Sequence, residues 1–355
     1  MIVAYDARPL QPQTRHWGVG VVVDNLLARL AHSFQFSGVA HQFPGAEQEG
    51  IKTWPRIPYM NTVIFEGSVL FLKKFDIYWG TNDFLPALAW CPCVVTVHDL
   101  LLLKYPSDQS HTRFLAQRLA SSLKKARKVI ADSRTTADDL IAAFPDVGKK
   151  IEVGLLGLNE PGHASNGESC VDQVSMDSPY VVMLGAHRPR KNLPLAVAAV
   201  SQLREGGSKL KLLVTGEVHP SFDRLVSGSR EFVSCAGMLP RQSLFALLKG
   251  AMALMFPSLY EGFGFPILEA MAAGCPVLAL DTPINREIAD DAACFLPPEP
   301  RPWSEALAQL GSTSTSSLRE DMQEMGFSNL RRFSWDNTAA VYASAFAELG
   351  ANGRS

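Results

Sequence analysis

The stretch Pro257–Pro276, PSLYEGFGFPILEAMAAGCP, constrains this chain more than any other. It reads as a loop carrying Glu261, a glycine-rich turn from Gly262 to Phe265, and a helix opening at Pro266 with Glu269 in its first turn. Proline suits an early helical position, because the N–H it lacks would have no intrahelical partner there. Phe265 has no side-chain oxygen to cap the helix, so the free N–H groups of the first turn need another partner. An anionic ligand meets that need, since the helix dipole favours negative charge at this end. The glycines let backbone approach such a ligand closely. The helix then stops near Gly274, and Cys275–Leu280 reads as a buried strand.

The same rhythm recurs along the chain. Short apolar or β-branched runs stand at Met1–Tyr5, Ile77–Gly80, Val94–Val97, Val129–Ser133 and Ile151–Leu156, and again at Tyr180–Gly185, Leu210–Gly216, Phe232–Gly237 and Met252–Phe256. Such runs, without polar alternation, belong to parallel sheets covered on both faces. Helical patterns lie between them, at Val21–Ala31, His111–Lys128, from Ser133, from Leu193, at Gln242–Lys249, from Glu287, behind a capping box Ser317–Glu320, and from Phe333–Asp336. A length of 355 residues is natural for two domains. Residues 161–179 are polar and rich in Gly, Ser and Pro and read as a linker. The expected division is therefore 1–160, 180–334, and a terminal helix over 335–355.

Two further places invite chemistry. His98 follows the buried run Val94–Val97 and is followed by Asp99. Ligands of open α/β sheets sit at the carboxyl ends of strands. After Tyr180–Gly185, the loop Arg188-Pro189-Arg190-Lys191-Asn192 puts three cations just before a helix N-terminus. The helix dipole disfavours that, and an anionic ligand relieves the conflict.

Composition narrows the classes. A formal net charge of −2 argues against a nucleic-acid partner. The six cysteines show no CxxC pair or metal spacing, which suits reduced thiols and a cytoplasmic location. No Asp-x-Asp or His/Cys/Glu ligand set stands in a setting that suggests a metal. Met1–Tyr5 begins a strand and not a leader, and Thr62–Tyr78 is broken by Glu66, Lys73, Lys74 and Asp76. The cations Arg118, Lys124, Lys125, Arg127 and Lys128 suit a solvated helix end. A sharper reading makes them, with Lys73 and Lys74, a peripheral docking patch for an anionic membrane surface.

The pair Glu261 and Glu269, separated by seven residues around GFGFPIL, resembles the donor-site signature of glycosyltransferase family 4. VVTVHDLLLLKYP, the Pro-Arg-Lys-Asn loop and the Asp6-Ala7-Arg8 opening with Gly18-Val19-Gly20 resemble further signatures of that family. The resemblance implies an α/β fold of the GT-B type, two Rossmann-like domains facing across an interdomain cleft, with the terminal helix crossing back to the first. It implies transfer of a hexose from a nucleotide diphosphate sugar, mostly with retention and without a metal or other cofactor.

In that scheme Lys191, with Arg190 or Arg188, grips the diphosphate, and Glu269 accepts from the ribose hydroxyls. Glu261 and the backbone of Gly262, Phe263 and Gly264, with Phe265 just before the helix, hold the sugar. His98 sits near the anomeric carbon or the 6-hydroxyl, next to Asp99. Gly18 and Gly20 lie in a loop near the diphosphate and the acceptor. The motifs resemble bacterial mannosyl- and rhamnosyltransferases of polysaccharide assembly. They imply GDP-mannose as donor and a glycan or polyprenyl-diphosphate oligosaccharide as acceptor, at the inner face of the cytoplasmic membrane. The alternatives are a dTDP- or UDP-sugar donor, or a nucleotide-sugar-binding protein without turnover.

Overall fold

The computed structural model describes residues 1–10, 18–41, 51–54, 75–86, 89–106, 109–158, 178–185, 188–216, 222–312 and 316–352. Most of the Gly- and Pro-rich stretch His41–Pro58, Lys73 and Lys74, nearly all of the linker and Ala186 lie outside them. The chain forms two compact units, Met1–Gly157 together with the segment from Ser334 onward, and Leu158–Phe333.

In the first unit the strands are β1 (Ile2–Asp6), β2 (Gln35–His41), β3 (Ile51–Trp54), β4 (Ile77–Gly80), β5 (Cys93–Val97), β6 (Lys128–Ala131) and β7 (Ile151–Val153), in the order β3-β2-β1-β4-β5-β6-β7. The second unit has β8 (Tyr180–Leu184), β9 (Lys211–Thr215), β10 (Val233–Cys235), β11 (Leu254–Phe256), β12 (Val277–Leu280) and β13 (Cys294–Leu296), in the order β10-β9-β8-β11-β12-β13. Each pairing is parallel; Tyr5 stands against Trp79, and Met255 against Leu278. β4, β5, β8, β11 and β12 are buried at every position. A strand covered on both faces has no polar side to show, which is why these segments read as unbroken apolar runs.

The last helix, Trp335–Asn352, is part of the first unit's core. Tyr342 and Phe346 are fully buried; Tyr342 packs edge-on against both Trp79 and Phe346, and the Phe346 ring is tilted against Trp79. Thr96 is the polar joint: its Oγ1 accepts from Trp79 Nε1 at 2.9 Å and bonds the Tyr342 hydroxyl at 2.8 Å. Thr338 Oγ1 donates to the Leu155 carbonyl at 2.6 Å. A side chain on Gly157 would collide with the backbone nitrogen of Trp335.

Several local expectations change. Gly18 and Gly20 lie in the first turn of the helix Gly18–Leu30, because Gly20, Val22, Val23, Leu26 and Leu30 form one buried stripe that runs back to the glycines. Glu287 lies inside the helix Pro283–Ala289, since Thr282 is its cap and accepts from the Asn285 N–H. Ser317–Glu320 sits past the start of the helix Ser316–Leu330 and is no cap; Arg319 instead donates to the carbonyls of Met252 and Ala251. The basic helix ends at Lys125, which donates to the Pro86 carbonyl. Lys128 belongs to β6 and pairs with Glu152 and Glu348 at 2.7 Å each. Ser133, read from the sequence as the start of a helix, is the cap of the helix Arg134–Ala143 and accepts from the Thr136 N–H.

Thr96→Val leaves the Trp79 N–H and the Tyr342 hydroxyl without their buried partner. It is expected to cost about 2–4 kcal/mol, read as a lower urea midpoint. Tyr342→Phe, which removes one bond and no packing, should cost less.

Candidate active site

Strand order reverses between β8 and β11 in the second unit, with connections running to opposite sides. That is where an open α/β sheet leaves a crevice at its carboxyl end. One segment leaves β8 through Gly185 and passes through a 3₁₀ turn, Pro189–Lys191, to Asn192 in the left-handed region (φ 57°) and the helix Leu193–Glu205. The other leaves β11 and carries Glu261 and Gly264. Leu259 N–H donates to the Arg190 carbonyl at 2.8 Å, which ties the two together.

Their side chains converge on one carboxylate. Arg190 Nη1 donates to Glu261 Oε2 at 2.9 Å, and Lys191 Nζ lies 2.7 Å from Glu261 Oε1. Lys191 is buried, with its ammonium 5.1 Å from the centroid of the Phe256 ring. Burial holds that ammonium below the usual lysine range, and Glu261 opposes the shift. Two cations share one carboxylate, so the cluster keeps a net positive charge. Arg190 Nε is buried without a hydrogen-bond partner. The geometry puts Arg190, not Arg188, beside Lys191 on Glu261; Arg188 is exposed on the flank.

The helix at the head of the signature spans Phe265–Ala272 and begins one residue before Pro266, which puts Glu269 in its second turn. Gly264 closes the loop at φ 138°, a conformation L residues rarely adopt, and no side chain caps the helix. Phe263 packs its buried ring against Phe265 and Phe333, so toward a ligand it offers backbone alone. Glu269 faces Arg241, with Nη2 4.0 Å from Oε1. Burial pushes the Glu269 carboxyl up, while Arg241 and Lys191 pull it down. Both line an apolar recess with Leu158, Leu244, Phe245, Leu248 and Ala272. Arg241 carries no signal in the sequence beyond opening a helix after Pro240.

The first unit holds its own cluster at the carboxyl ends of β4, β5 and β6. His98 Nδ1 is 2.6 Å from Asp132 Oδ2, and Nε2 is 2.8 Å from the Thr81 carbonyl oxygen. Asp83 lies alongside in the left-handed region (φ 56°), its Oδ1 3.4 Å from the His98 backbone nitrogen. Burial alone would lower the His98 imidazole, but Asp132, helped by Asp83 and the Thr81 carbonyl, raises it to about 9. Burial pushes Asp83 up to about 7 against the pull of His98. Asp99 is engaged locally, its Oδ1 accepting from the Leu101 N–H at 2.7 Å. Gly20 is buried in its helix and Gly18 is exposed at the helix start. Asp6 and Arg8 of the opening motif pair with each other, Arg8 Nη2 to Asp6 Oδ2 at 2.6 Å. Among the described residues no group of three or more His, Cys, Asp or Glu is arranged to hold a metal ion.

Glu261→Gln leaves Arg190 and Lys191 partly buried with no countercharge and is expected to lower stability by about 3 kcal/mol. Added pyrophosphate should restore more of the thermal midpoint in this variant than in the parent. Combining it with Lys191→Met should cost less than the two single losses added, which a double-mutant cycle in urea measures.

Residues 18–159 match the family model described as Glycosyltransferase Family 4, and residues 178–312 match the one described as Glycosyl transferases group 1. The O-antigen chain mannosyltransferase B of Escherichia coli is 27% identical over 289 residues, 78% of this chain and 75% of that protein. The MMP alpha-(1->4)-mannosyltransferase of Mycolicibacterium hassiacum is 31% identical over 295 residues, 77% of this chain and 70% of that protein. Among solved structures, sucrose-phosphate synthase from Thermosynechococcus elongatus aligns with a TM-score of 0.77 at 18% identity, over 99% of this chain and 100% of that one. WaaG, a glycosyltransferase involved in lipopolysaccharide biosynthesis, aligns with a TM-score of 0.74 at 16% identity, over 98% and 99%. With the two models matched in sequence order and a mannosyltransferase 31% identical across most of its length, this chain belongs to glycosyltransferase family 4 and is a glycosyltransferase of the two-domain α/β GT-B fold.

Proposed function

We propose that this glycosyltransferase moves a hexose, mannose from GDP-mannose, onto a glycan or polyprenyl-diphosphate oligosaccharide during polysaccharide assembly. The observation that carries the donor assignment is the net-positive cluster of Lys191, Arg190 and Glu261 at the switch point of the second unit, next to an uncapped helix start. The sugar and pathway are supported by relatives named as O-antigen and other mannosyltransferases.

In this reading the diphosphate takes Lys191 and Arg190 as partners and draws them from Glu261, whose oxygens turn to the sugar hydroxyls. Glu269 holds the ribose. The bond from the anomeric carbon to the diphosphate oxygen breaks, the acceptor oxygen bonds to that carbon on the same face, and the acceptor proton passes to the leaving diphosphate. Lysine, arginine and the helix N-terminus meet the growing negative charge, so the step asks for no metal. Removing one such donor group typically costs 10²–10³ in turnover, about 3–4 kcal/mol. Peripheral membrane contact belongs to the same proposal. Its basis is Leu102 and Tyr105, exposed in the segment before the basic helix Gln109–Lys125, and Phe114, exposed on that helix. No helix among the described residues is long and apolar enough to cross a membrane.

The first test is a donor screen with GDP-, UDP-, dTDP- and ADP-sugars, reading thermal stabilisation and slow hydrolysis without acceptor. GDP-mannose should be the strongest responder, and a clear preference for a UDP- or dTDP-sugar would replace it as donor. Lys191→Met should lower turnover of the responding donor by about 10²-fold or more at saturation; an unchanged rate would remove Lys191 from the site. Gly264→Ala, strained at its positive φ, should weaken donor binding as well as stability.

A further inference from the structure

The His98 ring has no nitrogen left to accept a proton. A carbonyl oxygen can only accept, so the 2.8 Å contact with Thr81 requires a hydrogen on Nε2. The 2.6 Å contact between Nδ1 and Asp132 Oδ2 holds a second hydrogen. Asp132 is buried, and its other oxygen, Oδ1, has no hydrogen-bond partner. A buried carboxylate with one oxygen unmatched is costly unless a full opposite charge lies against it. The three groups come from the ends of three neighbouring strands, β4, β5 and β6, so the ring is fixed from both sides.

We infer that Asp132 is a positioning residue that locks His98 as an imidazolium, so that the first unit contributes a fixed cation and not a general base. The inference rests on the reading that His98 serves the reacting sugar. It fits a step in which the acceptor proton leaves with the diphosphate, since this ring cannot take it. The other groups facing the ring are consistent with a retained charge. Asp83 stands at the end of β4 and Asp99 follows His98 in the chain; both belong to the same electrostatic cluster. From the helix Arg134–Ala143, Thr136 Oγ1 reaches the His98 carbonyl at 3.4 Å. From the last helix, Tyr342 feels Asp132 and burial keeps its hydroxyl protonated.

The decisive measurement is imidazole NMR on the whole protein with labelled histidine, His98→Gln identifying the resonance. The His98 ring should keep imidazolium shifts through neutral pH and titrate near 9. A neutral tautomer at pH about 7 would overturn the inference without touching the donor assignment, because no substrate is present. The pair's contribution is complete below the free imidazole value of 6.5 and is lost as pH rises through about 9. Asp132→Asn should move the titration down by more than one unit and remove that alkaline loss.

Turnover then separates positioning from scaffolding. At pH about 6 Asp132→Asn should run within a few-fold of the parent, and at pH about 8 it should fall about tenfold or more, since each unit of pKa is a factor of ten in the charged fraction. Equal loss at every pH would make Asp132 a structural residue and overturn its positioning role. If Asp132→Asn fails to fold, titration of His98 in the parent still decides the protonation state.

Discussion

The carboxylate of Glu261, shared between Arg190 and Lys191, is the interaction on which the second domain's site depends. The three residues sit on two connections that leave neighbouring strands, β8 and β11, at the point where strand order reverses. Left to themselves, two adjacent and largely buried cations would repel each other and draw water into the crevice. Glu261 lets the protein store that positive charge in a folded, partly dry place. The backbone bond from Leu259 to Arg190 and the left-handed turn at Asn192 then hold both connections in register. Glu261 is outnumbered two to one by the cations it bonds, so these three groups together keep a net positive charge.

The first domain solves a related problem with the signs inverted. Several acidic groups crowd the ends of β4, β5 and β6, and the cation among them is an imidazole gripped from two strands. The acidic groups keep His98 charged, and His98 offsets part of the cost of burying Asp132. Strained backbone accompanies it at Asp83. Non-glycine residues with positive φ persist where the surroundings over-determine them, often at functional sites.

The strands were legible because burial on both faces leaves runs such as Val94–Val97 and Val277–Leu280 with no polar interruption. Lys191 and Glu261 could be picked out as charged residues next to strand ends, before helices that do not need them. What escaped depends on contacts between distant parts of the chain. Asp132 is 34 residues from His98 and reads as an ordinary strand-end acid until the parallel sheet sets β5 beside β6. Lys128 looks like the tail of a basic helix, yet the sheet takes it and gives it Glu152 and Glu348 as partners. Arg188 and Arg190 are equivalent as composition; a single 3₁₀ turn separates Arg190, which meets Glu261, from the more exposed Arg188. The turn of the helix that carries Glu269 follows from the backbone angle at Gly264, which spacing cannot reveal.

The aromatic core of the first domain takes Tyr342 and Phe346 from a helix made after the whole second domain. During synthesis Trp79 and Thr96 must therefore wait, with an apolar groove uncovered, while about 180 residues of the second domain emerge at roughly 5–20 residues per second. The second domain, continuous from Leu158 to Phe333, can close first. The first domain can therefore complete its aromatic core only once the helix behind the second domain has been made.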